Sequence, residues 1–519
     1  MDTTHPANPQ LSADLDLERF RLRNFLAGLG ADEVEIREQP IDLADVAAAL
    51  EANAKAVWFK SVGPERAELA GNVVGSRARL ARAFGATPQT LLAEVVRRLG
   101  NSPEIVEVPR ERAPAQAIVA TGNAVDMTAL PVHLQHEADG GLYISAAIDF
   151  AIDAKAGWTN VGMRRLMLRG RAETGIDLVS PSDLRAIYLE AAARGQTLPL
   201  SFTIGANPTD MVAATMRLPV NELGLVASLR AAPLAVVKCI TNDIRVPADA
   251  EYVIEGYLDV RGHVEDEGPY GEFLGYYGGV KRNPVFHVTA ITRRRDALFQ
   301  TVSIGGRHMD TTDSAQLVAL RTEATVWRAL ETAVREPVAV YATTATGGMF
   351  NLRIALRQRV PGEARNAIYA AFGSHANVKH VFVVDPDIDI FSDAQMDWAL
   401  ATRLQADRGL VIETGLRALP LDPSLPDGAR IGAKAGFDLT WPFGQGDRLE
   451  RSIPEPPTLS GARFPSLEAA LKHGPKYFSE LMAASGTRDG REIVLALDAL
   501  RRAPGLDRDA RGRYVLKPG

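Results

Sequence analysis

Two carboxylates five positions apart, in a stretch that cannot be helical, are the strongest candidates for chemistry: Glu267-Gly-Pro-Tyr-Gly-Glu272. Gly268, Pro269 and Gly271 exclude a helix and favour a tight loop. Such a loop can turn both acids toward one pocket. Carboxylates forced together beside a cation take different pKa values, so one can hold charge while the other moves a proton. The same composition also makes an ordinary Gly-rich hairpin with solvated acids, and the motif alone does not choose.

Three further stretches could supply partners. In Trp158-Thr-Asn160-Val-Gly-Met-Arg164-Arg165, the Asn160 amide oxygen suits a hard metal ion or a ribityl hydroxyl. Arg165, turned inward, would clamp a carboxylate in bidentate fashion. The competing reading is a turn followed by a solvated basic helix. Ser180-Pro-Ser182-Asp183 opens a helical run, with Ser180 at the N-cap, Pro181 in the first turn and Asp183 completing a capping box. A helix N-terminus also attracts anions, but Asp183 would repel a phosphate there unless a divalent cation lay between them. Asn221-Glu222 precedes the apolar run 234–240, and Glu222 is either a metal ligand or an ordinary loop acid.

Other polar residues read as structure. Asp385, Asp387 and Asp389 alternate like a calcium loop without its glycine or closing glutamate. They mark a strand end before a helix capped by Ser392, with Gln395 at its third position. His133 and His136 lack the glutamate of a zinc-protease helix, and Cys239 sits in an apolar strand as a small core residue.

The elements that must position these groups fall into three textures. Residues 12 to about 115 mix helix and strand: Leu17, Phe20, Leu22, Phe25 and Leu26 recur at helical spacing until Gly28 and Gly30. From about 117, Tyr143–Ile152 alternates, with Ile144, Ala146, Ile148, Phe150 and Ile152 on one face of a half-buried strand. Strand-like runs at 199–205, 234–241, 252–259 and 285–292 then imply a barrel or strongly curved sheet. From about 315, a helix through Leu317, Leu320, Ala324 and Trp327 precedes strands at 337–342, 379–384 and 410–413, a rhythm that implies parallel α/β layering. The Pro- and charge-rich stretch 442–465 reads as an extended arm. The fold class is α/β (α+β) in three domains, 1–116, 117–314 and 315–519.

Bulk properties narrow the partners. The chain has 58 basic and 64 acidic residues and no long basic run, which argues against nucleic acid. One cysteine forms no internal disulfide and suits a reducing cytoplasm. The polar start Met1–Pro6 lacks the order of a signal peptide, and no run approaches the ~18 apolar residues of a membrane span. A cytoplasmic protein with no integral membrane segment is expected.

Taken in order, these stretches resemble the UbiD family of decarboxylases. The resemblance runs from Leu17-Glu-Arg-Phe-Arg-Leu-Arg-Asn-Phe-Leu26 to Gly432-Ala-Lys434-Ala-Gly-Phe-Asp438. Its most telling block is Val237-Lys-Cys-Ile-Thr-Asn-Asp-Ile-Arg-Val-Pro-Ala-Asp-Ala-Glu251, continuing through Glu255-Gly256 into the Glu267–Glu272 loop. It implies an N-terminal α/β domain, a central split-β-barrel flavin-binding domain and a C-terminal α/β oligomerisation domain, assembled as a homodimer or homohexamer. It also implies prenylated FMN, supplied by a UbiX-type flavin prenyltransferase and held through its phosphate by Mn²⁺ (or Mg²⁺) and K⁺. By position, Asn160 and Glu222 would ligate the metal. Met163, Arg164, Arg165, Leu178, Ser182 and Asp183 would contact the cofactor, and Lys434 would lie near it.

Glu267, Arg165 and Glu272 would form the catalytic set, with Glu272 as proton donor. One position departs from the family pattern. Where ferulic acid decarboxylases carry Gln-His, with that His a metal ligand, this chain has Ser182-Asp183, and Asp183 would substitute an oxygen donor. The substrates implied are aryl or enoic acids, with either direction of the reaction open. Arg307 and His308, placed by the resemblance on the substrate side, favour a hydroxylated, heteroaromatic or second-carboxylate substrate. Two other readings keep the fold without this chemistry: a flavoprotein with a different reaction, and a non-catalytic subunit.

Overall fold

A computed structural model describes residues 15–374, 376–446, 448–502 and 505–517; the polar start Met1–Pro6 lies outside the described residues. The chain forms two compact units: Met1–Arg359 with Glu363–Leu439, and Val360–Gly362 with Thr440–Gly519.

The centre of the first unit is a closed barrel of six antiparallel strands. They are β1 (Tyr143–Asp153), β2 (Trp158–Leu168), β3 (Glu173–Ile176), β4 (Leu198–Ile204), β5 (Tyr252–Leu258) and β6 (Val285–Arg293). Their spatial order is β5-β4-β1-β2-β3-β6, and β6 returns to pair with β5. Closure leaves no edge to protect. It also buries β1 on both faces as far as Ala151, correcting the half-buried expectation. Ile144, Ala147 and Ala151 join one core with Phe202, Ile254 and Phe286, whereas Ala146, Ile148 and Phe150 join the other. A register shift against β2 between Ile144 and Ala147 breaks the alternation, which is why Ile144 and Ala146 part company.

Three helices pack on this barrel, α1 (Asp183–Ala193), α2 (Pro208–Thr215) and α3 (Glu222–Arg230), and α4 (Asp313–Ala333) packs on α2 and on the strand Pro337–Ala342. The cap of α1 is Ser182, whose Oγ accepts from Arg185 N at 3.3 Å, and not the predicted Ser180. Starting at Asp183 sets Leu184, Tyr188 and Ala191 on one buried face. Glu222 is no loop acid: it is the first residue of α3, which Asn221 caps. The first helix spans only Leu22–Ala27, because Leu17 and Phe20 lie in the turn before it.

Strand Leu298–Gln300 leaves the barrel to join the N-terminal sheet of Val34–Arg37, Ala56–Val62 and Ala67–Gly71. The C-terminal sheet is mixed rather than parallel. Only its middle pairings, Asn351–Leu356 with His380–Val384 and the latter with Ile431–Asp438, are parallel. The outer strands Pro337–Ala342 and Leu410–Arg417 run antiparallel to their neighbours. Each joins its partner by a direct return, whereas a parallel pair needs a helical crossover. As expected, Ser392 caps the helix Asp393–Arg403 by accepting from Gln395 N at 3.3 Å.

The second unit packs Leu467–Lys472, Phe478–Ser485 and Gly490–Arg502 against the hairpin of Leu506–Arg508 and Tyr514–Leu516. Leu467, Leu471, Leu481, Ile493 and Leu497 form its core. Among its described residues, stretch 442–465 carries a single 3-10 turn, Leu449–Arg451. Among the described residues no helix is long and apolar enough to cross a membrane.

Candidate active site

Arg165, on β2, reaches the Gly-rich loop and meets both of its acids. Its Nε lies 2.8 Å from Glu267 Oε1, and its Nη1 lies 2.8 Å from Glu272 Oε1. Nη2 donates to Asp177 Oδ2 at 3.0 Å and to Glu267 Oε2 at 3.2 Å. A second cation, Lys281 Nζ, sits 3.0 Å from Asp177 Oδ2 and 3.3 Å from Glu272 Oε1. Three carboxylates therefore share two cations. Burial works against the charge on Arg165, yet Glu272, Glu267 and Asp177 hold its pKa well above the ordinary value. Burial also pushes Asp177 up, but Arg165 and Lys281 keep its carboxyl below the usual range. The guanidinium carbon stands 4.6 Å from the centre of the buried Tyr270 ring, a cation–π contact that fixes its plane.

The backbone of the loop is clamped from outside. Gly271 N donates to Asp139 Oδ1 at 2.8 Å, and Gly140 N donates to Pro269 O at 2.7 Å. Asn283 closes the rear: its Nδ2 donates to Glu267 Oε2 at 3.4 Å while its Oδ1 accepts from Leu178 N at 2.9 Å.

Arg165, Glu272, Asp177 and Lys281 line a cavity of about 1210 Å³, whereas Glu267 is fully buried outside its wall. Single-ligand pockets span roughly 300–1,000 Å³, so this one has room for a cofactor and a substrate together.

The same cavity reaches an oxygen-rich corner. Asn160 Nδ2 donates to Glu222 Oε2 at 2.6 Å, and Val161 N donates to the same oxygen at 2.5 Å. Burial raises the Glu222 pKa to about 7; the Val161 N–H opposes this, while Asp149 and Asp183 add to it. Asp149 is fully buried and neither of its oxygens accepts a hydrogen bond; Arg164 Nε stands 3.6 Å away. A buried carboxylate without hydrogen bonds, as at Asp149, is costly, and the Glu222 carboxylate beside Asn160 supplies the hard oxygen that a divalent cation prefers. The residues present therefore fit such an ion. Among the described residues, however, no three His, Cys, Asp or Glu side chains form a ready-made metal cluster.

Of the residues singled out from the sequence, Asn160, Met163, Arg164, Ser182, Asp183 and Glu222 line this cavity with Arg165 and Glu272. Asp183 is exposed at the first position of α1. Leu178 points into the barrel core and contributes only its backbone N–H. Lys434 is buried on the strand Ile431–Asp438, where its Nζ donates to Phe372 O at 3.2 Å, outside the cavity wall. Arg307 and His308 are exposed; His308 borders a separate cavity of about 40 Å³ with His133 and His136. Asp177, Lys281, Asn283 and Asp149 were not anticipated. Lys281 had a readable signal, because a hairpin opened by the Gly-rich loop sets Lys281 directly opposite Glu267.

Known proteins are similar to this chain in sequence and fold. The chain matches models of the 3-octaprenyl-4-hydroxybenzoate carboxy-lyase N-terminal domain at residues 34–99, Rift-related domain at 106–308 and C-terminal domain at 315–439. It is 33% identical over 392 residues to anhydromevalonate phosphate decarboxylase of Methanosarcina mazei, covering 74% of this chain and 87% of that protein. A phenolic acid decarboxylase of Bacillus subtilis is 28% identical over 455 residues, 83% of this chain and 94% of the relative. Among solved structures, the UbiD-class enzyme HmfF from Pelotomaculum thermopropionicum in complex with FMN superposes with a TM-score of 0.78 at 34% identity, over 83% of this chain and 97% of that one. An evolved dimeric form of HmfF, solved with prFMN, gives a TM-score of 0.74 at 31% identity, over 84% of this chain and 97% of that one. With three domain matches in order and a closed barrel presenting Arg165 to both loop acids, the chain belongs to the UbiD family of decarboxylases.

Proposed function

We propose that this chain carries out the reversible, non-oxidative decarboxylation of an aromatic, heteroaromatic or α,β-unsaturated acid with prenylated FMN held in the large cavity. The observation that carries this reading is the hydrogen-bonded Glu267–Arg165–Glu272 set, with Arg165 and Glu272 facing the cavity. When bound, prenylated FMN supplies the electron sink that side chains lack. The residues Asn160, Glu222 and Asp183 would hold Mn²⁺ (or Mg²⁺), with K⁺ nearby, at the phosphate end, and Met163, Arg164 and Ser182 would border the flavin.

The roles of the remaining groups follow from which atoms can be displaced. Every nitrogen of the Arg165 guanidinium already has a carboxylate partner. A substrate carboxylate entering from the cavity must therefore take a place held by a wall residue, Glu272 or Asp177, and not that of the enclosed Glu267. Glu267 and Asn283 keep the guanidinium fixed during that exchange, converting binding into alignment. Glu272 acts in its acid form, with the proton drawn from solvent. As CO₂ leaves with the C–C bond electrons remaining on the substrate carbon, Glu272 delivers its proton to that carbon and becomes a carboxylate again.

The relatives are named for anhydromevalonate phosphate and for phenolic acids, and both substrate types are carried over here as candidates. Division at 1–116, 117–314 and 315–519, with the last part forming a homodimer or homohexamer, completes the proposal. The test is co-expression with a UbiX-type prenyltransferase, mass measurement of the released flavin, and CO₂ release from a panel of these acids. Glu272→Gln, with cofactor bound, should lose turnover and H/D exchange by about 100-fold or more; near-normal exchange would overturn the assignment.

A further inference from the structure

The second unit has a topology that decarboxylation does not use. Its helices α5 (Leu467–Lys472), α6 (Phe478–Ser485) and α7 (Gly490–Arg502) pack on one another around Leu467, Leu471, Leu481, Ile493 and Leu497. The turn Gly486–Asp489 joins α6 to α7. Gly486 takes φ +82° to start it, and Asp489 Oδ1 accepts from Arg491 N at 3.0 Å to close it. A short Gly-containing turn between two helices is the connection of a helix-turn-helix, whose second helix enters the major groove of DNA. The chain between α5 and α6 pairs with the hairpin that follows α7: Lys476 N donates to Tyr514 O at 3.1 Å, and Tyr514 N to Lys476 O at 2.8 Å. Tyr514 pairs with Arg508 on its other side. The motif therefore carries a β-ribbon wing, which turns at Asp509–Arg513 with φ +75° at Gly512.

The outward side of α7 follows from its inward one. Ile493 and Leu497 are buried, so Arg491, Leu495, Asp498 and Arg502, three or four residues apart, form the exposed stripe opposite. Arg488 in the turn and Arg508 and Arg511 in the wing are exposed as well. The whole chain has a net charge of -6, but residues 440–519 hold 13 Lys and Arg against 10 Asp and Glu. That stretch is +3 and residues 1–439 are -9, an asymmetry that the balance of the whole chain conceals.

We propose that α7 and the wing form a surface for double-stranded DNA, with α7 in the major groove and the neighbouring arginines on phosphates. The mixed stripe fits base edges: a guanidinium matches guanine, an aliphatic side chain the thymine methyl, and a carboxylate the cytosine amine. Arg491 lies at the N-terminal end of α7, where a recognition helix meets the bases, and Asp489 holds it at 2.7 Å. Arg488, Arg502, Arg508 and Arg511 supply the positive charge that phosphates require. A protein partner fits this face less well. Protein interfaces deplete charge at their centre, whereas here Asp498 and Arg502 share the stripe with Leu495, and only Val494 and Leu495 of α7 are exposed large apolar residues. The surface is independent of the decarboxylase reading and needs no flavin.

The test is fluorescence anisotropy of a labelled, mixed-sequence duplex of about 30 base pairs, titrated with the full-length protein between about 50 and 200 mM salt. Wild type should bind the duplex, and log K should fall linearly with log salt at a slope of about -3 to -4, as expected when about four arginines each neutralise one phosphate. Arg488→Ala and Arg511→Ala should each weaken binding by about 5- to 10-fold at the lower salt and take about 1 off the slope. Lys472→Ala, exposed on α5, should change neither. All three variants should unfold at the wild-type temperature, because the side chains are exposed. No duplex binding by wild type at about 50 mM salt, or binding whose affinity and salt slope survive in both arginine variants, would overturn the proposal. Light scattering of wild type and Leu495→Glu adds a second check. Self-association that is lost in Leu495→Glu, with no duplex bound by wild type, would assign the face to a protein contact and overturn it as well.

Discussion

Alanine at Gly140 tests whether the loop geometry, and not merely its residue types, sets catalysis. A Cβ at Gly140 would stand 2.1 Å from Gly268 O, 2.6 Å from Gly268 C and 3.1 Å from Pro269 N. All three are backbone atoms and cannot rotate away. Ordinary contact begins near 3.4 Å, so the Gly268 carbonyl must recede by roughly 1 Å, a displacement on the scale that costs about 100-fold in rate. Gly268 directly follows Glu267, and Glu272 lies at the far end of the same loop, so both ends of the Arg165 contact move. The new methyl should also lower stability by about 1–3 kcal/mol through overpacking.

Gly279→Ala is the control, because a Cβ there meets nothing within 4 Å although the residue lies in the same hairpin. The assay is the initial rate of CO₂ release at matched flavin content, on whichever acid wild type turns over, with unfolding curves for all three proteins. We expect kcat/KM to fall by about two orders of magnitude in Gly140→Ala and to stay near wild type in Gly279→Ala. Gly140→Ala within about threefold of wild type, or equal damage from Gly279→Ala, would show that the loop tolerates the shift and that the positioning argument fails.

Two further outcomes concern stability. Asp313, the first residue of α4, accepts from Val74 N at 2.7 Å and Ser303 N at 3.0 Å, and burial raises its pKa from 3.8 to about 6. A carboxyl raised on folding stabilises the protein below its unfolded pKa, and that contribution is lost as pH rises through about 6. Asp313→Asn should therefore flatten the fall in urea-unfolding free energy between about pH 4 and 6, which is worth on the order of 3 kcal/mol; an unchanged slope would assign it elsewhere. Arg230→Ala leaves Asp210 and Asp249 buried without their shared cation. It should cost about 3–5 kcal/mol in the same assay, and a loss below about 1 kcal/mol would show that those acids are neutral or hydrated.

What the sequence discloses here depends on the range of the interaction. The Ser392 cap and the Gly-rich turn are set by neighbours a few residues apart, and both were legible. The Ser180-Pro-Ser182-Asp183 stretch offers two serines that could cap, and the choice of Ser182 turns on which helical face meets the core. No local rule encodes that choice. Ile144 and Ala146 look alike by alternation, yet a bulge across the β1–β2 pairing sends them to different cores. Asp177 reaches Arg165 from beyond β3, a contact that the spacing of no single motif gives, whereas Lys281 and Asn283 face Glu267 and Glu265 across the hairpin itself.

Arg165 and its acids are more than 100 residues apart and were paired only through family resemblance. Arg321 is the instructive omission. Leu317, Leu320 and Ala324 already mark the buried side of α4, and a charge four residues after Leu317 falls on that same side. Periodicity alone thus announces a cation facing inward. What it cannot supply is what waits there: the three-dimensional fold sets Arg321 half-buried in the wall of the large cavity rather than in the apolar core.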